Sequence, residues 1–455
     1  MKNELSFYLV ADTHYFEPSL GASGKKYDEY MLREQMCLAE NSSIVQSTFE
    51  KISADMQTDI VIIPGDLVKN GEMASHISFI KELYKLQENG KKVYVTTALH
   101  DFEDSPRGYV GDEYVSVEGT KREQLPEMYK DFGFGDAIAF DEISYSYVAQ
   151  LNDEVRMIAI NCDGENGEKG AISDRLLQWI KVQIDEARKN NCYIFAINHY
   201  PVIPACPVFE LIADAKVKNN EKIAQFLADN GVNIIFTGHM HIQSIKKYVS
   251  PKGNELYDVC TSALVGSPAK YRKVTFKTND TVDIRTLDVP DFEFDGELRH
   301  TKEYCDRQFS NMINNTLEAA LSGGDGAIKT VKKIGAKLID KVTLGGIGRF
   351  FWFSVDKSIR KVKLKDLIVR VMLNLFSGKM PYIMGTAQQR FFAKLLSRLD
   401  FVIKRIEPKL SKNGKKFNLK SSVFDTIGNN TGIDNNNTVT VSYTHLRAHE
   451  TLRHL

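Results

Sequence analysis

No two of the six cysteines in this 455-residue chain stand close together: Cys37, Cys162, Cys192, Cys206, Cys260 and Cys305 are scattered singly. That excludes a close-spaced zinc knuckle and argues against a disulfide framework, so buried thiols in a reducing cytoplasm are expected. No run of about 18 apolar residues occurs, so no transmembrane helix is expected. The first residues enter an apolar strand without a basic stretch, long apolar core or cleavage site, and do not read as a signal peptide. Net charge is also missing, with 59 Lys/Arg against 59 Asp/Glu. The balance conceals a division: residues 327–420 carry 23 basic and 5 acidic side chains, an excess of 18, while residues 1–326 carry 34 and 51, a deficit of 17. An acidic part followed by a basic one speaks to partners rather than to fold. At 43% hydrophobic and 26% charged the chain is globular in composition, and its length calls for more than one core.

What is present is alternation. Apolar runs at Leu5–Val10, Asp59–Ile63, Lys92–Thr97, Ser144–Leu151, Val155–Asn161, Tyr193–Asn198 and Asn233–Thr237 read as strands. Helical periodicity lies between them at Met31–Met56, Ala74–Gln87, Ser173–Lys189 and Asn220–Asp229. Shorter alternating segments, Ile242–Val249, Leu256–Thr261, Arg272–Lys277 and Thr281–Leu287, read as antiparallel strands. The pattern predicts an α/β layered fold.

Histidines follow the strands. Seven precede the final segment, and five of them, His14, His100, His199, His239 and His241, stand just past strand C-termini, as do Asp12, Asp66 and Asp101. Open α/β sheets place ligands along that edge. A lone strand-end histidine is usually structural; five in one context are not. Carboxylates mixed with imidazoles suit Mn, Fe or Zn rather than Ca.

Asp12-x-His14, Gly65-Asp66 with Gly71, His100-Asp101, His199 and Gly238-His239-x-His241 resemble, in order, the signature blocks of the calcineurin-like metallophosphoesterase superfamily. Gly65-Asp66-Leu-Val-Lys-Asn-Gly-Glu72 is most similar to bacterial cytosolic members described as phosphodiesterases. The resemblance spans about Leu5 to Leu287. It implies a two-sheet α/β/β/α sandwich and two divalent ions, with Asp66 bridging, Asp12, His14 and His241 on the first, and His199 and His239 on the second. It implies hydrolysis of phosphoesters by a metal-activated hydroxide. His100 would stabilise or protonate the leaving oxygen, and Asp101 would orient its ring. Small phosphodiesters, cyclic nucleotides among them, are the first expectation; phosphomonoesters or phosphoproteins come second. One position departs: the family's Asn ligand before the histidine is Leu99, which cannot ligate. The second ion is therefore expected to be weakly held, and a catalytically weak phosphate-binding or scaffold module is the alternative. Asn198 should not replace that ligand, because a strand neighbour of His199 faces the other way.

Four regions are expected: the catalytic domain (1–290), a basic and mostly helical region (291–426), an Asn-rich linker (427–440), and a tail (441–455). The tail matches the translation of a sequencing-library adapter, which removes His445, His449 and His454 from consideration. Helical stretches are expected at Glu303–Leu321, Ala327–Val342, Lys357–Phe376 and Gln388–Ile406. Phe350-Phe351-Trp352-Phe353, flanked by Arg349, Lys357, Arg360, Lys361 and Lys363, suits an anionic membrane surface. A purely solvated basic face is the plainer reading, and nucleic acid ranks lowest, since no recognition motif accompanies the charge. The protein is expected to be cytoplasmic, or peripheral to a membrane.

Overall fold

The structure, a computed structural model, describes residues 3–322, 341–379, 382–383, 385–410, 417–429 and 438–442. Two mixed sheets face each other. The first runs Thr438–Ser442, Thr281–Asp288, Lys270–Phe276, Leu5–Leu9, Ile60–Pro64, Lys92–Thr96. The second runs Ser244–Val249, Glu255–Cys260, Ile234–Thr237, Tyr193–Asn198, Val155–Ile160, Tyr147–Asn152, Ala139–Phe140. Each contains a parallel block: Leu5–Leu9, Ile60–Pro64 and Lys92–Thr96 form one half of the first sheet, out to its edge, and the strands from Val155, Tyr193, Ile234 and Glu255 form the centre of the second. Parallel neighbours all point their C-termini to one edge, which is how residues far apart in sequence meet there.

Side-chain alternation assigns the two faces. In the second sheet Met157, Ala159, Phe195, Ile197, Ile234 and Phe236 face the first sheet. Ile158, Ile160, Ile194, Ala196 and Ile235 face outward, onto helices Asp174–Lys189 and Asn220–Asp229 through Leu176, Ile180, Ile184, Ile223 and Leu227. Between the sheets Phe7 stacks on Phe195 (centroids 5.5 Å apart, 10° between planes), with Phe236 edge-on to Phe195 at 5.6 Å. Helices Asn41–Ser53 and Met73–Glu88 complete the sandwich beside the first sheet.

Three differences from the sequence reading have identifiable causes. Of the helix expected over Met31–Met56 only Asn41–Ser53 forms, and a separate helix, Lys25–Met31, ends where it was expected to begin. Between them the backbone is drawn aside by tertiary bonds, the Cys37 amide donating to the Val265 carbonyl at 2.9 Å. The helix expected from Lys357 begins at Leu364, because residues before it form a bridge between Thr343 and Lys363. The expected linker ends earlier than 440: Thr438–Ser442, an alternating β-branched segment, adds an edge strand beside Thr281–Asp288. Residues 443–455 and most of the stretch expected at Ala327–Val342 lie outside the described residues.

The basic region is packed onto the catalytic domain. Helix Thr301–Ser322 is tied by Gln308, which donates to the Met31 and Glu34 carbonyls (both 2.9 Å), and by the Tyr304 hydroxyl, which donates to Glu40 at 2.6 Å. Its Cys305 thiol lies 3.7 Å from that of Cys37; all six cysteines are free and buried. Phe309 meets Phe376 of helix Leu364–Phe376 at 4.8 Å, and the Phe376 carbonyl accepts the Gln243 amide at 2.8 Å. That bond sits two residues past His241. Among the described residues no helix is long and apolar enough to cross a membrane.

Candidate metal centre

Five of the site residues leave their strands through strained turns. Asp12, His14, Asp66, His239 and His241 all have positive φ (50°, 38°, 50°, 67° and 52°). For residues other than glycine such backbone costs on the order of 1–3 kcal/mol and clusters at functional sites. The turns are held from outside. Asn41, buried at a helix start, donates to the Thr13 and His14 carbonyls (3.1 and 2.9 Å) and accepts the Phe16 amide at 3.1 Å. The His14 amide donates to the Asp66 carbonyl at 2.9 Å, binding the first turn to the second. Gly238 has no alternative: a Cβ there would lie 2.3 Å from Asp12 Oδ2.

The side chains converge in two groups, Asp12 with His14 and His241, and Asp66 with His199 and His239; within each group the ligand atoms lie within 4.8 Å of one another. Asp66 reaches imidazoles of both groups, with Oδ2 3.0 Å from His199 Nε2 and 3.5 Å from His14 Nε2. His241 Nε2 stands 3.4 Å from Asp12 Oδ1 and 3.1 Å from His14 Nε2. All six residues predicted as metal ligands are thus brought together.

The donor set fits divalent cations. A metal-binding histidine engages its second nitrogen with an oxygen acceptor, which fixes ring and tautomer. His199 Nδ1 faces the Pro64 carbonyl at 3.0 Å, His241 Nδ1 faces Gln35 Oε1 at 3.2 Å, and His239 Nε2 faces the Asp214 carbonyl at 2.5 Å. That leaves His199 Nε2, His241 Nε2 and His239 Nδ1 free to ligate. Burial and neighbouring charges set the protonation. Burial holds the His14 ring well below its ordinary value and takes His239 down to about 4, so both are neutral and able to bind metal. Burial opposes charge on His199 too, yet the Asp66 carboxylate outweighs it and raises that ring to about 10. Asp66 thus favours positive charge at His199 Nε2, and a divalent ion bound there would take the place of that proton.

His100 and Asp101 occupy a 3₁₀ turn after Lys92–Thr96. His100 Nδ1 faces the Lys69 carbonyl (3.0 Å) and Asn70 Oδ1 (2.9 Å), both acceptors, so Nδ1 carries the proton and Nε2 is the reactive atom. Its backbone amide donates to Asp66 Oδ1 at 3.2 Å. Asp101 does not orient that ring, as the sequence led us to expect. Its wholly buried carboxylate accepts the amides of Leu67 (2.7 Å), Val68 (3.1 Å) and Ala98 (2.7 Å), so it joins the Asp66 loop to the His100 turn. Backbone donors engage both of its oxygens. The orienting partners of His100, Lys69 and Asn70, lie within the Gly65–Gly71 block, where no sequence feature set them apart from turn residues.

Leu99, half-buried, offers no ligand atom. Asn198 faces away as parity requires, its amide donating to the Tyr200 carbonyl at 2.6 Å. The sequence reading also missed His76. It was set aside as a helix residue, but its ring lies 2.9 Å from the Asp101 carbonyl and 2.7 Å from the Tyr129 hydroxyl.

Residues 5–243 match the profile of the calcineurin-like phosphoesterases. The chain belongs to that family. It is a phosphoric ester hydrolase by membership, and its two ligand groups are those of a divalent-metal enzyme. A search of curated proteins finds no match. Among solved structures it is similar to a dimetal phosphatase from Danio rerio, at 12% identity and TM-score 0.45, covering 63% of this chain and 96% of that one. It is also similar to the purple acid phosphatase PPD1 from yellow lupin seeds, at 11% identity and TM-score 0.44, covering 66% and 53%. A third is the NAD nucleotidase of Haemophilus influenzae, at 12% and 0.37, covering 75% and 62%. At such values the family match assigns this calcineurin-like phosphoesterase, and the neighbours add nothing on substrate.

Proposed function

We propose that this calcineurin-like phosphoesterase hydrolyses small phosphodiesters with two divalent ions, one held by Asp12, His14 and His241, the other by His199 and His239, with Asp66 between them. The observation that carries this is the position of Asp66, within 3.5 Å of imidazoles from both groups. Divalent ions held by these residues would supply Lewis acidity to the phosphoryl oxygens and a more acidic water. The chain's own part is to orient and to move protons. Asp66 fixes the spacing of the groups and holds the His100 amide. His100, with Nδ1 held by the Lys69 carbonyl, turns Nε2 toward the site, where it can exchange a proton with the leaving oxygen.

Confinement favours a small substrate over a phosphoprotein. The loop Cys206–Lys218, which bears Asp214 against His239, is packed under the basic region: Cys206 and Phe209 share a cluster with Phe309, Leu375 and Phe376. A rim fixed from both sides leaves little freedom to accommodate a protein surface. Bis(p-nitrophenyl) phosphate and p-nitrophenyl phosphate, assayed against a Mn²⁺ titration of the full chain, test this. Diester turnover that saturates with metal and exceeds monoester turnover is expected. Faster monoester turnover would overturn the diester assignment, and silence from folded protein would leave a phosphate-binding module.

We further propose an anionic membrane as partner. Phe350 and Trp352 are 76% and 85% exposed at the end of the helix Leu344–Phe350, and Arg398 donates to the Trp352 carbonyl at 3.0 Å, holding a further cation beside them. Exposed aromatics among cations suit a lipid headgroup layer. A cytoplasmic site of action agrees with the six free thiols.

A further inference from the structure

Leu99 leaves the second ion one oxygen donor short, and a buried carboxylate waits beside it. Asp163 follows the strand Val155–Ile160, which pairs in parallel with Tyr193–Asn198 so that Ile160 stands opposite Asn198. Past that pair, Cys162 turns outward into the helix-covered core, while Asn161 turns inward and donates to Thr97 Oγ1 at 2.9 Å. Asp163 stands one residue beyond Cys162, and the Gly170 that its carboxylate holds packs on the Tyr200 ring (a Cβ there would lie 3.2 Å from it), which in turn meets His239 at 4.0 Å. Burial raises its carboxyl above the ordinary range, while the Gly170 amide, the His199 ring and the Leu99 amide favour its charged form and the Asp66 carboxylate opposes it.

Asp163 is 1% exposed. Its Oδ1 accepts the Gly170 amide at 2.8 Å, and Oδ2 has no hydrogen-bond partner. Buried polar atoms without partners are rare in native proteins and ask for a missing water or ion. Asn198 Oδ1 is also unpartnered, but it lies on the outer face. Asp163 offers its unpartnered oxygen next to the Leu99 turn, where the ligand is absent. Its carboxylate is not one of the group Asp66, His199 and His239, whose ligand atoms lie within 4.8 Å of one another, which suits it to an outer role rather than to ligation.

We propose that Asp163 compensates for Leu99: its free oxygen accepts a hydrogen bond from the water that takes the place of the absent amide ligand, and so retains the second divalent ion. Carboxylates in this outer position set ligand orientation and are typically worth about 10–100-fold in metal affinity. The inference rests on the two-ion reading above and concerns retention rather than chemistry, so its test reads metal.

Mn²⁺ bound per chain would be measured by equilibrium dialysis with elemental analysis, for the full-length protein and for Asp163→Ala, Asp163→Asn, Leu99→Asn and Leu99→Asn/Asp163→Ala, each with its melting temperature. The unsubstituted chain is expected to take up two ions. Asp163→Ala should weaken the second by about tenfold or more and leave the first unchanged. Asp163→Asn, which keeps the Gly170 bond, should weaken it less. Leu99→Asn should restore the second ion in the Asp163→Ala background. Two ions held equally well without Asp163, a loss that Leu99→Asn fails to restore, or an unsubstituted chain that holds only one ion would each overturn the proposal. A single-ion chain that still cleaves phosphodiester would sink this inference while sparing the hydrolase reading; a chain that neither binds metal nor cleaves would sink both.

Discussion

The Asp101 carboxylate accepts the Leu67 amide at 2.7 Å, and through that bond the residue beside His100 governs the loop that carries Asp66. A carboxylate next to a histidine in sequence invites reading as a ring-orienting partner. Here the turn points the two side chains apart, and three backbone N–H groups occupy both carboxylate oxygens.

Replacing Asp101 by alanine would therefore act on structure first. Three buried amides would lose their acceptor, at roughly 1–3 kcal/mol for each buried donor left unpaired. A loss of several kcal/mol in urea-unfolding free energy is expected, with reduced Mn²⁺ retention, since the freed loop is the one that bears Asp66. Asp101→Ala with unchanged stability and metal content, but an altered pH profile of turnover, would return Asp101 to the role of ring orientation.

His76 predicts a pH dependence. Burial lowers its ring to about 4 from an ordinary 6.5, and it sits between the Tyr129 hydroxyl and the Asp101 carbonyl. The folded state therefore favours neutral His76, and between about pH 4 and 6.5 the unfolded chain binds more protons there. The stabilisation is complete above pH 6.5 and is lost as pH falls through that window, by up to about 3 kcal/mol. Other buried histidines titrate in the same range, so the reading is a difference. Urea unfolding of the original chain and of His76→Gln, from pH 4.5 to 7.5, should show a shallower slope in the variant. Parallel slopes would sink the assignment.

Asp66→Asn tests the centre itself. Even outer partners of metal ligands are worth about 10–100-fold, and Asp66 is the contact shared by both groups. Turnover of bis(p-nitrophenyl) phosphate should fall by more than about 100-fold, with loss of bound Mn²⁺ and no restoration by added metal. Undiminished activity would remove the basis for placing the chemistry here.

Much of this was legible in the sequence because strand ends and ligands are local. Asp12, His14, Asp66, His199, His239 and His241 each follow an apolar run directly, and a parallel sheet does the rest. Parity along Tyr193–Asn198 likewise placed Asn198 on the far face from His199. What stayed hidden depended on contacts between distant segments. Asn41 locks the His14 turn from a helix whose start was misplaced, His76 reaches the Asp101 carbonyl from a helix that looked merely amphipathic, and Asp163 acquires meaning only beside Leu99. The Thr438–Ser442 strand escaped notice because an edge strand's pairing is decided by its neighbour, not by its own five residues.

The basic region gives the last prediction. Phe350, which meets the Phe351 ring edge-on at 4.9 Å, and Trp352 remain largely exposed, and leaving two large aromatics in water is unfavourable by roughly 25 cal/mol per Å² of apolar surface. Insertion into a headgroup layer would recover part of that, while Arg349, Lys357, Arg360, Lys361 and Lys363 would each add about 1 kcal/mol near an anionic surface. Cosedimentation with phosphatidylserine-containing vesicles should exceed that with neutral phosphatidylcholine and weaken as salt is raised, because the screening length contracts. Phe350→Ala/Trp352→Ala should reduce binding to the anionic vesicles without altering metal content or turnover of a soluble substrate. Equal binding to both lipids would make the attraction non-electrostatic. Binding untouched by the double substitution would leave the excess charge of residues 327–420 as a solvated face, which is the simpler account of it.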